Sequence, residues 1–281
     1  MNEPAGFTRG QRRVALTWGI LCHLSFGAGV LAMFVGLGSG MRFGLGPFRG
    51  WPAAAADFLL LAQFPIAHSL LLSKRGRGWL ARMAPLGLGS ALGTTTYAMI
   101  ASLQLLMTFV LWSPFGEWSW HPDGMALGLA CAVYGFAWLL LLKTMADAGL
   151  GVQTGYLGWG SVIRGRRPTY RGFEPRGTFR WVRQPIYVAF ALILWSGPVW
   201  TADHVLVAIA WSAYCMLAPK HKERRYSAQY GESFAHYRTL VPYWIPRRKP
   251  ADLTSLARPE TSTNATCPSA LATTVAARTR A

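Results

Sequence analysis

Six apolar segments, almost free of charged residues, constrain the fold of this chain more than any other feature. Four of them approach or exceed the roughly 20 residues that a helix needs to cross a bilayer. They comprise residues 14–37, 51–72, 89–112, 125–145, 186–200 and 204–217. Backbone polar groups inside a membrane must be satisfied within the segment, so these runs predict helices. We therefore predict an all-α, polytopic membrane bundle of about six transmembrane helices, in which the last two form a C-terminal helical hairpin.

The charge distribution supports a membrane location and gives the chain an orientation. Only 14% of the residues are charged, against about 25% in a typical soluble domain. The net charge of +17 comes from residues between the apolar segments and near the C-terminus. This placement suits anionic lipid headgroups, so we expect a lipid bilayer as partner and no nucleic acid. The loops after the second and fourth segments are rich in Lys and Arg, which predicts that these loops and both termini are cytoplasmic. We expect an integral membrane protein of the bacterial inner membrane, with its active site facing the cytoplasm.

The remaining polar and sulfur-containing residues of the membrane segments predict structure rather than chemistry. The four cysteines lie far apart with no CxxC spacing, so the sequence indicates neither a metal site nor a disulfide framework. Lys143 and Asp147 are four residues apart and are expected to pair with each other on one helix. Because ionisable groups in a bilayer usually face a partner or a cavity, His68 is open to two interpretations. It could line a cytoplasmic pocket or lie at the interface.

The chain changes character after the last apolar segment. Residues 220–243 are charged and carry aromatic side chains at helical spacing, which predicts an amphipathic cytoplasmic helix. An interfacial aromatic belt would explain this pattern equally well. From Arg247 the chain lacks periodicity and is expected to be disordered. The predicted organisation is an N-terminal cytoplasmic segment (1–13), a membrane domain (14–246) whose residues 150–246 bind the cofactor, and a disordered tail (247–281).

Two polar clusters flank the predicted hairpin and are forced to the same membrane face. The first cluster precedes a membrane helix, with Arg183 and Tyr187 one turn apart and Pro185 at a position that a helix start tolerates. The second cluster follows the hairpin and contains Glu223, Tyr230, Tyr237 and Arg238. A pocket between them would combine aromatic walls, a carboxylate and guanidinium groups. Such a pocket suits a cationic, adenine-bearing cofactor.

At these residues the chain resembles a known family. The segments Arg183-Gln184-Pro185-Ile-Tyr187, Lys222-Glu223, Tyr230-Gly231-Glu-Ser-Phe234-Ala-His-Tyr237 and Val241-Pro242 resemble the signature of integral-membrane methyltransferases related to isoprenylcysteine carboxyl methyltransferase. The segments Ala67-His68-Ser69, Thr96-Tyr97 and Leu111-Trp112-Ser-Pro114 are similar to the bacterial methanethiol S-methyltransferase branch. Two positions depart from the family pattern: Gln184 replaces a histidine, and Lys222 replaces the first of two glutamates.

The resemblance implies a methyltransferase that uses S-adenosylmethionine and a small or lipophilic acceptor, most simply a thiol, without a metal. The implied catalytic residues are Arg183, Tyr187 and Arg238. The implied cofactor-binding residues are Gln184, Pro185, Tyr187, Glu223, Tyr230 and Tyr237. The implied substrate pocket contains His68 and Tyr97. The alternatives are methylation of a prenylcysteine carboxylate or a lipid, and a non-catalytic accessory protein of the nitrite and nitric oxide reduction type.

Overall fold

The structure of the protein, a computed structural model, describes residues 6–257. Helices form at all six predicted apolar segments, so the all-α polytopic membrane bundle is confirmed. The helices are α1 (Arg9–Gly38), α2 (Gly50–Leu71), α3 (Lys74–Met83), α4 (Gly89–Val110), α5 (Gly124–Gln153), α6 (Tyr156–Ile163), α7 (Pro185–Trp195) and α8 (Ala202–Leu240). Among these residues, α1, α2, α5 and α8 are long and apolar enough to cross a membrane.

The bundle has two chemically different ends. At one end, strand β1 (Ser119–Trp120) pairs antiparallel with β2 (Trp200–Thr201). Asp203 joins the start of α8 to the loop between α4 and α5, because it accepts hydrogen bonds from the Trp112 indole at 2.8 Å and from the Gly116 backbone at 3.0 Å. The opposite end carries α3 and the arginine-rich loop between α6 and α7, and we refer to it as the basic end.

The exterior of the bundle is more apolar than a soluble protein could tolerate. Leu24, Leu129, Phe136 and Leu139 are each more than 60% exposed along α1 and α5. The interior is close-packed, with α1 lying against α4 at a distance that only small residues allow. A Cβ atom on Gly29 would lie 2.6 Å from the backbone oxygen of Ser102. An apolar surface of this extent indicates a lipid-facing exterior.

Several element boundaries differ from the sequence prediction. Helix α1 begins at Arg9 rather than at residue 14, because Thr8 and Gln11 form a capping box at its start. The short helices α3 and α6 were not predicted. Helix α7 has only 11 residues, about 16 Å of helix, so it crosses about half of a bilayer core.

The predicted sixth segment and the predicted amphipathic helix are continuous in α8, whose 39 residues are divided by a kink at Gly231. At about 1.5 Å per residue the part before the kink is about 43 Å long, more than the thickness of a bilayer core. Its first half, to about Leu217, is apolar and accounts for the membrane crossing. From Pro219 onward the helix is charged and extends beyond that portion. Only Gly231, with φ 48° and ψ −122°, interrupts the helical backbone.

The prediction of disorder from Arg247 starts too early. The backbone N–H of Arg247 donates to the carbonyl of Trp181, and that of Ala251 donates to the carbonyl of Arg180 at 2.8 Å. Ala251 is 2% exposed and packs against Phe234. These contacts fix residues 247–257 against the segment that precedes α7. The rest of the predicted tail lies outside the described residues.

Candidate active site at the basic end

Glu223, on the charged half of α8, lies at the centre of a polar cluster at the start of α7. Its Oε1 accepts hydrogen bonds from Arg183 Nε at 2.9 Å and from Gln184 Nε2 at 2.8 Å. Arg238 Nε is 3.8 Å from the other carboxylate oxygen, Oε2. The Arg183 and Glu223 side chains are only 11% and 13% exposed. Removing either partner would therefore leave a largely desolvated charge unpaired.

Arg183 also ties the start of α7 to the end of α8. Its Nη1 donates to the carbonyls of Arg238 and Val241, both at 2.9 Å, and its backbone N–H donates to Pro242. The guanidinium lies over the ring of Tyr243, 5.4 Å from the centroid. The planar guanidinium can donate hydrogen bonds to the carboxylate and to two carbonyls at once, whereas a lysine ammonium could not.

The two positions that depart from the family pattern contact each other. Lys222 Nζ donates to Gln184 Oε1 at 3.3 Å. The same ammonium lies 5.5 Å from the ring centroids of Phe179 and Tyr226. Burial lowers the pKa of Lys222 to about 8, although the Glu223 carboxylate opposes this effect. Gln184 and Lys222 therefore belong to the same cluster as Glu223.

An aromatic cluster on α8 packs beside this polar cluster. Phe173 packs against four rings of α8, those of Tyr226, Tyr230, Phe234 and Tyr237. The Tyr237 hydroxyl donates to the carbonyl of Phe179 at 2.7 Å. Nearby, burial and the Glu223 carboxylate raise the pKa of Tyr243. Tyr230 and Tyr237, predicted as cofactor-binding residues, thus lie in a packed wall beside the polar cluster.

The predicted substrate residues also lie at the basic end and contact each other. Tyr97 on α4 and His68 on α2 are joined by a hydrogen bond of 2.7 Å between the hydroxyl and Nε2. The imidazole packs between Phe64 and Tyr214. Its other nitrogen, Nδ1, is buried and has no hydrogen-bond partner among the described residues. The imidazole is therefore oriented by Tyr97, and its Nδ1 is buried without a hydrogen-bond partner among the described residues.

Tyr187, on α7, lies within electrostatic range of residues from both groups, Tyr97 and the pair Tyr226 and Tyr243. Arg225 of α8 reaches the end of α2, where it donates to the carbonyl of Leu72 at 3.2 Å. Pro185, also predicted as a cofactor-binding residue, is buried at the first position of α7. The structure therefore brings the predicted cofactor and substrate residues into one region.

Sequence reasoning missed four residues of this region: Phe179, Tyr214, Arg225 and Tyr243. Arg225 lies three residues after Lys222, a helical spacing that could have identified it. Tyr214 is a lone tyrosine in an apolar segment, which gives only a weak signal. Within residues 6–257, no group of three His, Cys, Asp or Glu side chains could hold a metal ion.

Comparisons with known proteins provide an independent line of evidence. Methanethiol S-methyltransferase 2 of Bradyrhizobium diazoefficiens is 30% identical over 199 residues, which cover 69% of this chain and 74% of that protein. Methanethiol S-methyltransferase of a Pseudomonas species is 28% identical over 242 residues, 83% of this chain and 90% of that protein. Nurim of Xenopus laevis is 28% identical over 176 residues, 57% of this chain and 58% of that protein. No protein-family model and no solved structure matches the chain.

The fold and the site define a polytopic helical membrane protein whose polar groups converge at one end of its last two helices. Its relatives specify the class further. The chain belongs to the integral-membrane methyltransferase superfamily related to isoprenylcysteine carboxyl methyltransferase, in the methanethiol S-methyltransferase branch.

Proposed function

We propose that this protein transfers a methyl group from S-adenosylmethionine to a small thiol such as methanethiol. The observation that carries the proposal is that α8 contacts both groups: it carries Glu223, which accepts from Gln184, and Tyr214, whose ring centroid lies 6.4 Å from that of His68. This arrangement supports a donor site and an acceptor site that share one wall. The names of the relatives support methanethiol as the acceptor.

The residues of the Glu223 cluster fit this cofactor. Glu223 Oε2 has no donor within hydrogen-bond distance in the described part of the chain, since Arg238 Nε is 3.8 Å away. This oxygen can accept from an ammonium or a ribose hydroxyl. When bound, S-adenosylmethionine supplies an electrophilic methyl group on a sulfonium sulfur.

The thiol must lose its proton, because the thiolate is the nucleophile. In the net reaction the thiol S–H bond breaks, a bond forms between the thiol sulfur and the methyl carbon, and the bond from that carbon to the sulfonium breaks. We assign His68 Nδ1 as the proton acceptor. In the required tautomer, Nε2–H donates to the Tyr97 oxygen and leaves the Nδ1 lone pair available. Arg225 and Arg183 add positive charge that favours the thiolate.

We propose that the site lies at the cytoplasmic face of a bacterial inner membrane. The basic end carries α3 and the arginine-rich loop, which the positive-inside rule assigns to the cytoplasm. The donor would enter there, and an apolar acceptor would enter from the bilayer. Catalysis would come mainly from alignment of the two reactants in a site that excludes water.

Purified protein in lipid nanodiscs tests the proposal. We expect labelled S-adenosylmethionine and methanethiol to yield dimethyl sulfide. Glu223→Ala should abolish this activity, whereas Glu232→Ala, on an exposed part of α8, should retain it. Labelling of only a prenylcysteine carboxylate or a lipid amine would replace the thiol as acceptor. Absence of S-adenosylmethionine binding to folded protein would refute the proposal and favour an accessory role.

A further inference from the structure

The Gln184 amide lies between a cation and an anion on consecutive residues of α8. Its oxygen accepts from Lys222 Nζ at 3.3 Å, and its nitrogen donates to Glu223 Oε1 at 2.8 Å. The reverse orientation of the amide would direct its N–H groups at the ammonium and its oxygen at the carboxylate. Both neighbours therefore favour the same orientation, and Gln184, only 2% exposed, holds Lys222 and Glu223 one amide apart.

Lys222 retains unused hydrogen-bonding capacity. An ammonium has three donors, and within residues 6–257 the structure gives it one acceptor, Gln184 Oε1. Its other close neighbours are the rings of Phe179 and Tyr226, which stabilise the charge but accept no conventional hydrogen bond. A partly buried cation with unused donors is incompletely solvated, so the site is suited to an anionic ligand that would engage them.

Glu223 provides the complementary capacity. Arg183 and Gln184 both donate to Oε1, whereas Oε2 has only the distant Arg238. Arg183 is itself occupied, because it also donates to the carbonyls of Arg238 and Val241. The cluster thus offers donors on Lys222 and an acceptor on Glu223.

We propose that Lys222 and Glu223 form a subsite for the α-amino-acid end of the methyl donor. Lys222 binds the carboxylate, Glu223 Oε2 accepts from the ammonium, and Gln184 sets the spacing between them. This inference rests on the proposed function, since that function supplies a donor with an amino-acid group. It gives Lys222 a role in recognition and explains why Gln184 and Lys222 occur together.

The test compares two ligands and three proteins by equilibrium binding in nanodiscs, without turnover. The ligands are S-adenosylmethionine and its decarboxylated analogue. The proteins are the wild type, Lys222→Gln and Lys220→Gln, a control that removes an exposed lysine from the same helix. We expect the wild type to prefer S-adenosylmethionine, and Lys222→Gln to lose about 10- to 100-fold in affinity for it, as for a charge-assisted hydrogen bond. Affinity for the analogue should stay equal or increase, and Lys220→Gln should match the wild type.

Each other outcome is decisive. Equal losses for both ligands in Lys222→Gln, or a retained preference for the carboxylate, would overturn the subsite while leaving the proposed function intact. Binding of neither ligand to the wild type would refute the proposed function and the subsite together. If Lys222→Gln binds neither ligand, Lys222→Arg decides. Restored binding with a preference for S-adenosylmethionine supports the subsite, and any other result overturns it.

Discussion

At the residue scale, the site depends on side chains that serve several partners at once. Arg183 serves one carboxylate and two carbonyls, and Glu223 Oε1 accepts from both Arg183 and Gln184. Such shared contacts make a substitution costly even when charge is conserved. In the proposed function the same side chains also bind the methyl donor, so we expect substitutions here to affect stability and ligand binding together.

Arg183→Lys tests this coupling. A single ammonium cannot reach Glu223 and both carbonyls, so we expect the free energy of unfolding to fall by about 2 to 3 kcal/mol. Affinity for S-adenosylmethionine should fall as well. Thermal unfolding in detergent and equilibrium binding measure the two effects. Arg171→Lys, in the exposed loop before α7, should change neither. An Arg183→Lys protein with wild-type stability would show that the guanidinium geometry is unimportant.

His68→Gln tests the proposed proton acceptor. Glutamine can keep a hydrogen bond to Tyr97 but cannot take a proton, so we expect the turnover rate at neutral pH to fall about 100-fold or more. The affinity for S-adenosylmethionine should be unchanged. The rate should recover as pH rises, because the thiol then ionises in solution. His23→Gln, which alters a histidine on α1, serves as control. A pH-independent loss would assign His68 a packing role instead.

The residues of the site were predictable to an unequal degree. Arg183, Glu223 and Arg238 carry charge beside membrane segments, and the hairpin forces them together, so their proximity followed from the sequence. The i, i+4 pair of Lys143 and Asp147 was predictable from spacing and is confirmed at 2.5 Å. Contacts such as Lys222 with Phe179 join residues 43 apart in sequence, whose relative placement depends on tertiary packing.

At the element scale, runs of apolar residues predicted where the membrane helices occur but not where they end. Capping by Thr8 extended α1 beyond its apolar segment, and helical continuity through Pro219 joined two predicted helices into α8. The order of residues 247–257 could not be predicted from a periodic pattern. These residues are held by contacts with Arg180 and Trp181 rather than by their own helix or strand propensity. Local sequence carries no signal for such contacts.

The close approach of α1 and α4 yields a prediction at this scale. In Gly29→Ala the new Cβ would lie 2.6 Å from the Ser102 oxygen, so the helices must separate. We expect a loss of about 1 to 3 kcal/mol in the free energy of unfolding, measured by thermal or denaturant unfolding in detergent. In Gly27→Ala the new Cβ meets nothing within 4 Å, so this variant should be unchanged or slightly more stable. Equal effects of the two substitutions would mean that the helices do not pack as described.

At the scale of the whole molecule, the separation of charge defines the direction of the bundle. The basic end gathers α3, the α6–α7 loop and the proposed active site, whereas the opposite end holds the β1–β2 pair and buried Asp203. Binding of a polar cofactor requires that the basic end face the compartment that contains it. The orientation of the molecule and the proposed chemistry therefore depend on each other.

Cysteine labelling of intact cells tests this orientation. In a background without the native cysteines, Arg171→Cys marks the basic end, and Glu117→Cys marks the opposite end; both residues are exposed. Once the outer membrane has been opened, a membrane-impermeant thiol reagent should label Glu117→Cys, because this residue then lies on the accessible side of the intact inner membrane. It should label Arg171→Cys only after the inner membrane is permeabilised. The reverse pattern would place the proposed site on the outer face, away from cytoplasmic S-adenosylmethionine, and would contradict the proposed function.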